Sequence, residues 1–213
     1  MIDREVDARN DRKLDRLLKQ ACLKYSQASI EDIDVRPARG VDRRTVMSLA
    51  LGDWVAAGHS ILITGPTAAG KSWLTWALAQ YACRRGHSAL YKRVPHLQAE
   101  LRIRNGNGVF GRWLTQLAKT DVLVLDDRRM GAIDNATRSD LLKIIHDRAA
   151  SKATIITNQL PIEHWHAWIG DAAIADAILD RIMQRNHRLV LTGASLRQEK
   201  PKPLKKQQAI DPS

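Results

Sequence analysis

The run Gly65-Pro66-Thr67-Ala68-Ala69-Gly70-Lys71-Ser72 places two glycines, a lysine and a hydroxyl within one short stretch. Glycines let a backbone curl until its N–H groups point at a common centre, and a lysine adds a full positive charge there. The spacing G-x-x-x-x-G-K-[ST] is that of a cradle for phosphate oxygens. Its flanks decide whether it is more than a chance match. Before it, Ser60-Ile61-Leu62-Ile63-Thr64 is short, apolar and β-branched, the pattern of a buried strand. After it, Leu74, Ala77, Leu78 and Tyr81 recur at i, i+3, i+4 and i+7, one face of a helix. A strand, a glycine loop and a helix in that order make a P-loop, with the helix N-terminus adding positive partial charge at the loop. On this reading Gly65, Pro66, Thr67, Ala68, Ala69, Gly70, Lys71 and Ser72 enclose a nucleotide. Lys71 reaches the β- and γ-phosphates, and Ser72 Oγ ligates Mg²⁺.

A second group is Asp121-Val122-Leu123-Val124-Leu125-Asp126-Asp127. Four consecutive apolar residues predict a strand buried on both faces, and it ends in two carboxylates. This is the Walker B pattern: Asp126 holds Mg²⁺ through water, and Asp127 orients or polarises the attacking water. A third strand end lies at Asn158, after Ala153-Thr154-Ile155-Ile156-Thr157. Strand ends on this side of a parallel sheet face the ligand crevice, so Asn158 is a candidate to hydrogen-bond the γ-phosphate or the water, with a simple turn-former as its alternative. His164-Trp165-His166 lacks further ligands at metal-binding spacing and reads as a packed tryptophan between surface histidines.

The chain must also supply the elements that hold these groups. Residues 3–23 predict a charged helix with Leu14, Leu17, Leu18 and Ala21 on a narrow apolar stripe, docked on the domain or on a neighbouring subunit. One helix is expected over residues 42–57, a strand over 88–92, short helices over 95–103 and 109–118, a helix over 137–149, and a fifth strand over 187–191. Ile174, Ala177, Ile178 and Ile182 mark a further helix, with Arg181 along its edge. The expected division is a helical and linker segment over 1–58, an ATPase domain over 59–197 and a basic, structureless tail over 198–213.

Composition limits the partners. Lys and Arg total 34 against 23 Asp and Glu, a formal charge of +11, which favours a polyanion and DNA first. Arg36, Arg39, Arg43 and Arg44 form one basic cluster, either a DNA phosphate contact or a solvated linker. Arg102 and Arg104 open a glycine-rich loop that reads equally as a phosphate contact or a surface turn. Cys22 and Cys83 are far apart, as free thiols in a reducing compartment would be, and no apolar run is long enough to span a bilayer. The expectation is a soluble, cytoplasmic protein with no membrane partner.

With these motifs in hand, the chain resembles the IstB-like helper ATPases of bacterial insertion sequences, AAA+ proteins related to DnaC and DnaA. The similar stretches include Leu17-Leu18-Lys19-Gln20-Ala21, Ile30-Glu31-Asp32-Ile33-Asp34-Val35-Arg36-Pro37-Ala38-Arg39-Gly40, the P-loop and Walker B runs, Gln159-Leu160-Pro161-Ile162-Glu163-His164-Trp165, and Ala175-Asp176-Ala177-Ile178-Leu179-Asp180-Arg181. The resemblance implies that Asn158 is the sensor 1 residue. It implies that Arg181 is an arginine finger acting on ATP held by the adjacent subunit. It also implies an ATP-dependent homo-oligomer, joined through the ATP interface, that binds target DNA and delivers it to a cognate transposase. Two differences from the family pattern stand out. Met1-Ile2-Asp3-Arg4-Glu5 aligns with the middle of the family's N-terminal helical pattern, and Arg128 and Arg129 replace an aromatic residue and a glycine after Asp127.

The expected fold is α/β: a three-layer P-loop NTPase of AAA+ type with a mainly parallel five-stranded sheet and no full C-terminal lid. The expected cofactors are ATP and Mg²⁺. The nearest alternative function is a DnaC-like replicative helicase loader. Two further alternatives are a small-molecule kinase, for which no acceptor pocket or lid is evident, and a DNA-binding protein that holds nucleotide without hydrolysing it.

Overall fold

The computed structural model describes residues 2–25, 27–36, 39–105, 110–127 and 133–193. Arg128 and Arg129, the glycines and asparagine of the 106–108 loop, and the tail lie outside the described residues.

Five strands, β1 (Ser60–Thr64), β2 (Ala89–Arg93), β3 (Val122–Asp126), β4 (Ala153–Asn158) and β5 (Asn186–Val190), form one sheet in the order β2-β3-β4-β1-β5. Every pairing is parallel. The apolar runs of the central strands supply both faces because successive side chains point opposite ways. Ile61, Ile63, Val122, Val124 and Ile155 enter one core, and Leu62, Leu123, Leu125 and Ile156 enter the other. Helices therefore cover both sides. On the first lie α1 (Ile2–Ala21), α2 (Arg43–Leu51), α3 (Asp53–Ala56) and α4 (Lys71–Arg84). On the second lie α5 (Val94–Asn105), α6 (Phe110–Lys119), α7 (Asn135–Arg148), α8 (Trp165–Ile169) and α9 (Ala172–Met183). The result is the three-layer α/β fold that the motif order implied.

The N-terminal helix docks on its own domain. Leu17 and Ala21 are buried, Leu14 and Leu18 pack beside them, and the helix lies against β2 and α4. Ala28, Ile30, Val41, Leu49 and Trp54 join the same core, so the 1–58 segment is continuous with the sheet's packing.

The single helix expected over residues 42–57 is two. Gly52 adopts φ 84°, a left-handed conformation that ends α2 and starts α3 in a new direction. Asp42 caps α2 by accepting from Thr45 N at 2.7 Å. The end of α2 is held by α4, where the Tyr81 hydroxyl donates to Ala50 O and Arg85 Nη2 to Leu51 O. At the far end of the sheet, Arg148 is buried and donates to Leu117 O, Thr120 O, Ala153 O and Thr154 Oγ1. Burial pulls its pKa down to about 10, which leaves it charged at neutral pH. Arg148 thus ties the ends of α6 and α7 to the starts of β3 and β4.

Candidate functional site

The site forms where strand register brings three loops together. Thr64 pairs with Asn158, and Thr157 pairs with Asp126, so the ends of β1, β4 and β3 stand side by side. The P-loop leaves β1 through Gly65 at φ 140°; a Cβ there would lie 2.3 Å from Leu191 O, so only glycine fits. Gly70, at φ 101°, precedes α4, and Ala68 takes a left-handed φ of 64° without being glycine. This backbone curl turns the loop around the N-terminus of α4, a fourteen-residue helix that begins at Lys71.

Lys71 is buried, and its Nζ donates to Gly65 O at 2.6 Å and Pro66 O at 2.8 Å. The ammonium is thus folded into the loop it serves. Ser72 Oγ lies 3.2 Å from Asp126 Oδ2. A hydroxyl and a carboxylate meeting at the first turn of α4 are hard oxygen donors, which suit Mg²⁺. Asp126 and Asp127 are both buried, and Asp127 N donates to Thr157 O at 3.1 Å. Asn158 is wholly buried; its Oδ1 accepts from Leu160 N at 2.9 Å, and its Nδ2 has no hydrogen-bond partner among the described residues. Lys71, Ser72, Asp126, Asp127 and Asn158 are therefore brought together at one edge of the sheet.

Two residues that the sequence did not single out belong to the same cluster. The hydroxyls of Tyr91 and Thr157 both donate to Asp126. Strand alternation was the available signal: residues 122, 124 and 126 share a face with residues 153, 155 and 157 of the neighbouring strand and with residue 91 beyond.

Arg181 is not at this edge. It lines a small cavity with Ser60, Thr154, Arg148, Gln184 and Arg185, where β1 and β4 begin, at the opposite end of the sheet. Its Nη1 donates to Ala177 O at 2.7 Å and its Nε to His146 Nδ1 at 3.0 Å. The exposed helix pairing with Asp180 or Asp176 that its spacing permits is not the contact it makes here.

The basic residues divide. Arg39, expected in either a DNA phosphate contact or a solvated linker, is 6% exposed and donates to Asp34 Oδ2 at 3.0 Å, while its backbone carbonyl accepts from Thr192 N. Arg36 is exposed but clamps the same carboxylate with two nitrogens, and the two arginines hold Asp34 far below the usual carboxylate range. Arg102 is exposed and pairs with Asp134, the N-cap of α7. Arg104 stacks on the Trp113 ring at 5.1 Å and lines an open groove with Lys92, Arg112 and Gln116 along the β2 edge. Lys92 is paired there with Glu100 at 2.7 Å. His164 and His166 are exposed while Trp165 is buried, its Nε1 donating to Leu160 O. Among the described residues no helix is long and apolar enough to cross a membrane.

Comparison with known proteins places this geometry in a family. Residues 1–203 match the model of the IstB-like ATP binding protein family, and the chain belongs to that family. A protein of insertion sequence IS1162 from Pseudomonas fluorescens, named for ATP binding, is 52% identical over 161 residues, 76% of this chain and 70% of the relative. The insertion-sequence protein y4pL of Sinorhizobium fredii, also named for ATP binding, is 45% identical over 197 residues, 92% of this chain and 80% of the relative. Among solved structures, the DnaC helicase loader superposes with a TM-score of 0.66 at 19% identity, over 79% of this chain and 99% of that one. That likeness shows a shared fold.

Proposed function

We propose that this member of the IstB-like family is the helper ATPase of an insertion sequence: it binds ATP with Mg²⁺, assembles on target DNA, and delivers that DNA to a cognate transposase. One observation carries the ATPase part. Lys71, Ser72, Asp126, Asp127 and Asn158, whose Nδ2 has no hydrogen-bond partner among the described residues, converge at the ends of β1, β3 and β4. In this reading Lys71 exchanges its two loop carbonyls for β- and γ-phosphate oxygens as the nucleotide enters. Ser72 and Asp126 would hold Mg²⁺, which would supply positive charge against the phosphate oxygens there. Asp127 accepts a hydrogen bond from the attacking water, and Asn158 Nδ2 donates to the γ-phosphate or to that water. Arg181 stands at the far end of the sheet from its own P-loop, and we assign it, as the family resemblance implies, to the site of an adjacent subunit.

Insertion-sequence relatives favour transposition over replication. The helicase-loader alternative keeps the support of the shared fold alone. For DNA, the groove of Lys92, Arg104 and Arg112 offers phosphate contacts more readily than Arg39, which is buried. The deciding experiment measures ATP hydrolysis with and without duplex DNA and images the same samples by electron microscopy. Turnover with ring or filament assembly that depends on ATP and DNA is expected. Absence of turnover in the presence of DNA and transposase would leave a nucleotide-holding DNA binder. Capture of a replicative helicase in preference to the transposase would favour the loader.

A further inference from the structure

The carboxylate of Asp126 receives three hydroxyls. Ser72 and Tyr91 donate to Oδ2, and Thr157 donates to Oδ1. A carboxylate bonded on both oxygens has its plane fixed, and hydrogen bonds to an ionised group are the stronger kind. Ser72 belongs to the nucleotide loop itself, and Thr157 precedes Asn158 on the neighbouring strand. Tyr91 comes from elsewhere: it lies on β2, the edge strand, in register with Val124, while Asp126 pairs with Arg93. The phenol therefore reaches along the face of the sheet toward α4 to meet the end of β3.

The ring is held for that reach. Tyr91 is 8% exposed and packs at 6.0 Å on Trp76. Trp76 is buried on α4, the helix that carries Lys71 and Ser72. Tyr25 also packs on Trp76, at 5.0 Å. The phenol is thus wedged between the P-loop helix and the sheet. Phenylalanine would fill the same volume, so packing alone does not account for the hydroxyl, and a buried hydroxyl needs an acceptor. Its acceptor is the carboxylate that, with Ser72, makes the cation's donor set.

We propose that Tyr91 is a positioning residue for the Mg²⁺ site, locking the Asp126 carboxylate in the orientation that binds the cation. This rests on the reading of the site as one for ATP and Mg²⁺. Outer partners of metal-binding carboxylates act by orienting them, and losing one weakens metal affinity by roughly 10–100-fold.

The test is Tyr91→Phe, which keeps the ring and removes the oxygen. Binding of N-methylanthraniloyl-ATP is followed by fluorescence, once in EDTA and then across a Mg²⁺ titration. The expected result is an affinity in EDTA within about twofold of the unaltered protein, with the Mg²⁺ concentration for half-maximal enhancement raised about 10–100-fold. Thr157→Val should shift the same midpoint in the same direction. An unchanged Mg²⁺ midpoint in Tyr91→Phe overturns the proposal, as does an equal loss of affinity with and without Mg²⁺, which would mark the hydroxyl as structural only. If the unaltered protein binds no nucleotide in either condition, the nucleotide reading itself fails and takes this proposal with it.

Discussion

In the proposed function Lys71 serves nucleotide binding and Asp127 the attacking water, so their substitutions should separate. Lys71→Ala removes a charged donor near the β- and γ-phosphates. Hydrogen bonds to charged groups are worth about 1.5–3 kcal/mol, so nucleotide affinity should fall on the order of 10–100-fold. The fold should survive, because the bonds from Lys71 Nζ to Gly65 O and Pro66 O stay within its own loop. Asp127→Asn keeps the size of the side chain and removes its basicity; binding should persist while turnover falls on the order of 10²–10⁴-fold. Equal loss of binding in the two variants, measured by nucleotide titration, would remove the role assigned to Asp127. The P-loop and Walker B residues were legible because their meaning lies in local spacing. Tyr91 and Thr157 were not, because they reach Asp126 through strand pairing between distant parts of the chain. Arg39 misled for a related reason. A run of arginines looks solvated until tertiary packing buries one of them against Asp34.

At the level of elements, the strands were the most legible, since continuous apolar runs in a βα alternation leave few other arrangements. The break at Gly52 shows the limit: helical periodicity continues across it, and only the glycine's left-handed turn separates α2 from α3. Gly65 makes a testable case of backbone necessity. Gly65→Ala combines a φ of 140° with a Cβ 2.3 Å from Leu191 O, and holding such a residue costs at least about 1–3 kcal/mol. Its melting temperature should fall measurably, and an unchanged value would mean that the loop relaxes freely. The β1–β5 pair carries a pH signature. His59 Nδ1 and His187 Nε2 share a hydrogen bond at 3.2 Å, and burial, with His59 second, lowers the pKa of His187. A histidine whose folded pKa lies below its unfolded value stabilises fully above the unfolded pKa, and that stability fades as pH drops through it toward the folded one. Urea midpoints should therefore decline between pH 7.5 and 5.5, and His187→Asn should flatten that decline. A wild-type midpoint that stays constant over this range would mean that His187 is not held neutral.

At the level of the whole molecule, three of the arginines that the sequence offers to DNA, Arg36, Arg39 and Arg102, are engaged by Asp34 and Asp134, carboxylates that the net charge of +11 already counts. DNA affinity should still drop steeply with salt, with a slope of about −0.9 per phosphate contacted. Replacing Arg104 and Arg112 with glutamine should make that slope shallower; an unchanged slope would move the DNA path off the β2 edge. The position of Arg181 leads to the strongest test of assembly. The phosphate edge holds Lys71, while Arg181 lies where β1 and β4 begin, too far along the sheet to serve its own nucleotide. A guanidinium supplied across a subunit boundary stabilises the charge that develops in phosphoryl transfer, by on the order of 10³–10⁵ in rate. Arg181 would have to exchange its bonds to Ala177 O and His146 for a neighbour's phosphate. Arg181→Ala keeps an intact P-loop but offers its neighbour no guanidinium, and Lys71→Ala has a disabled P-loop but still offers one. Each protein alone should hydrolyse ATP very slowly. Mixed on DNA, they should recover part of the wild-type rate, because some interfaces then join a working P-loop to a working arginine. If both variants assemble and the mixture remains as slow as its components, Arg181 does not act between subunits, and its bonds to α7 and α9 describe its whole role.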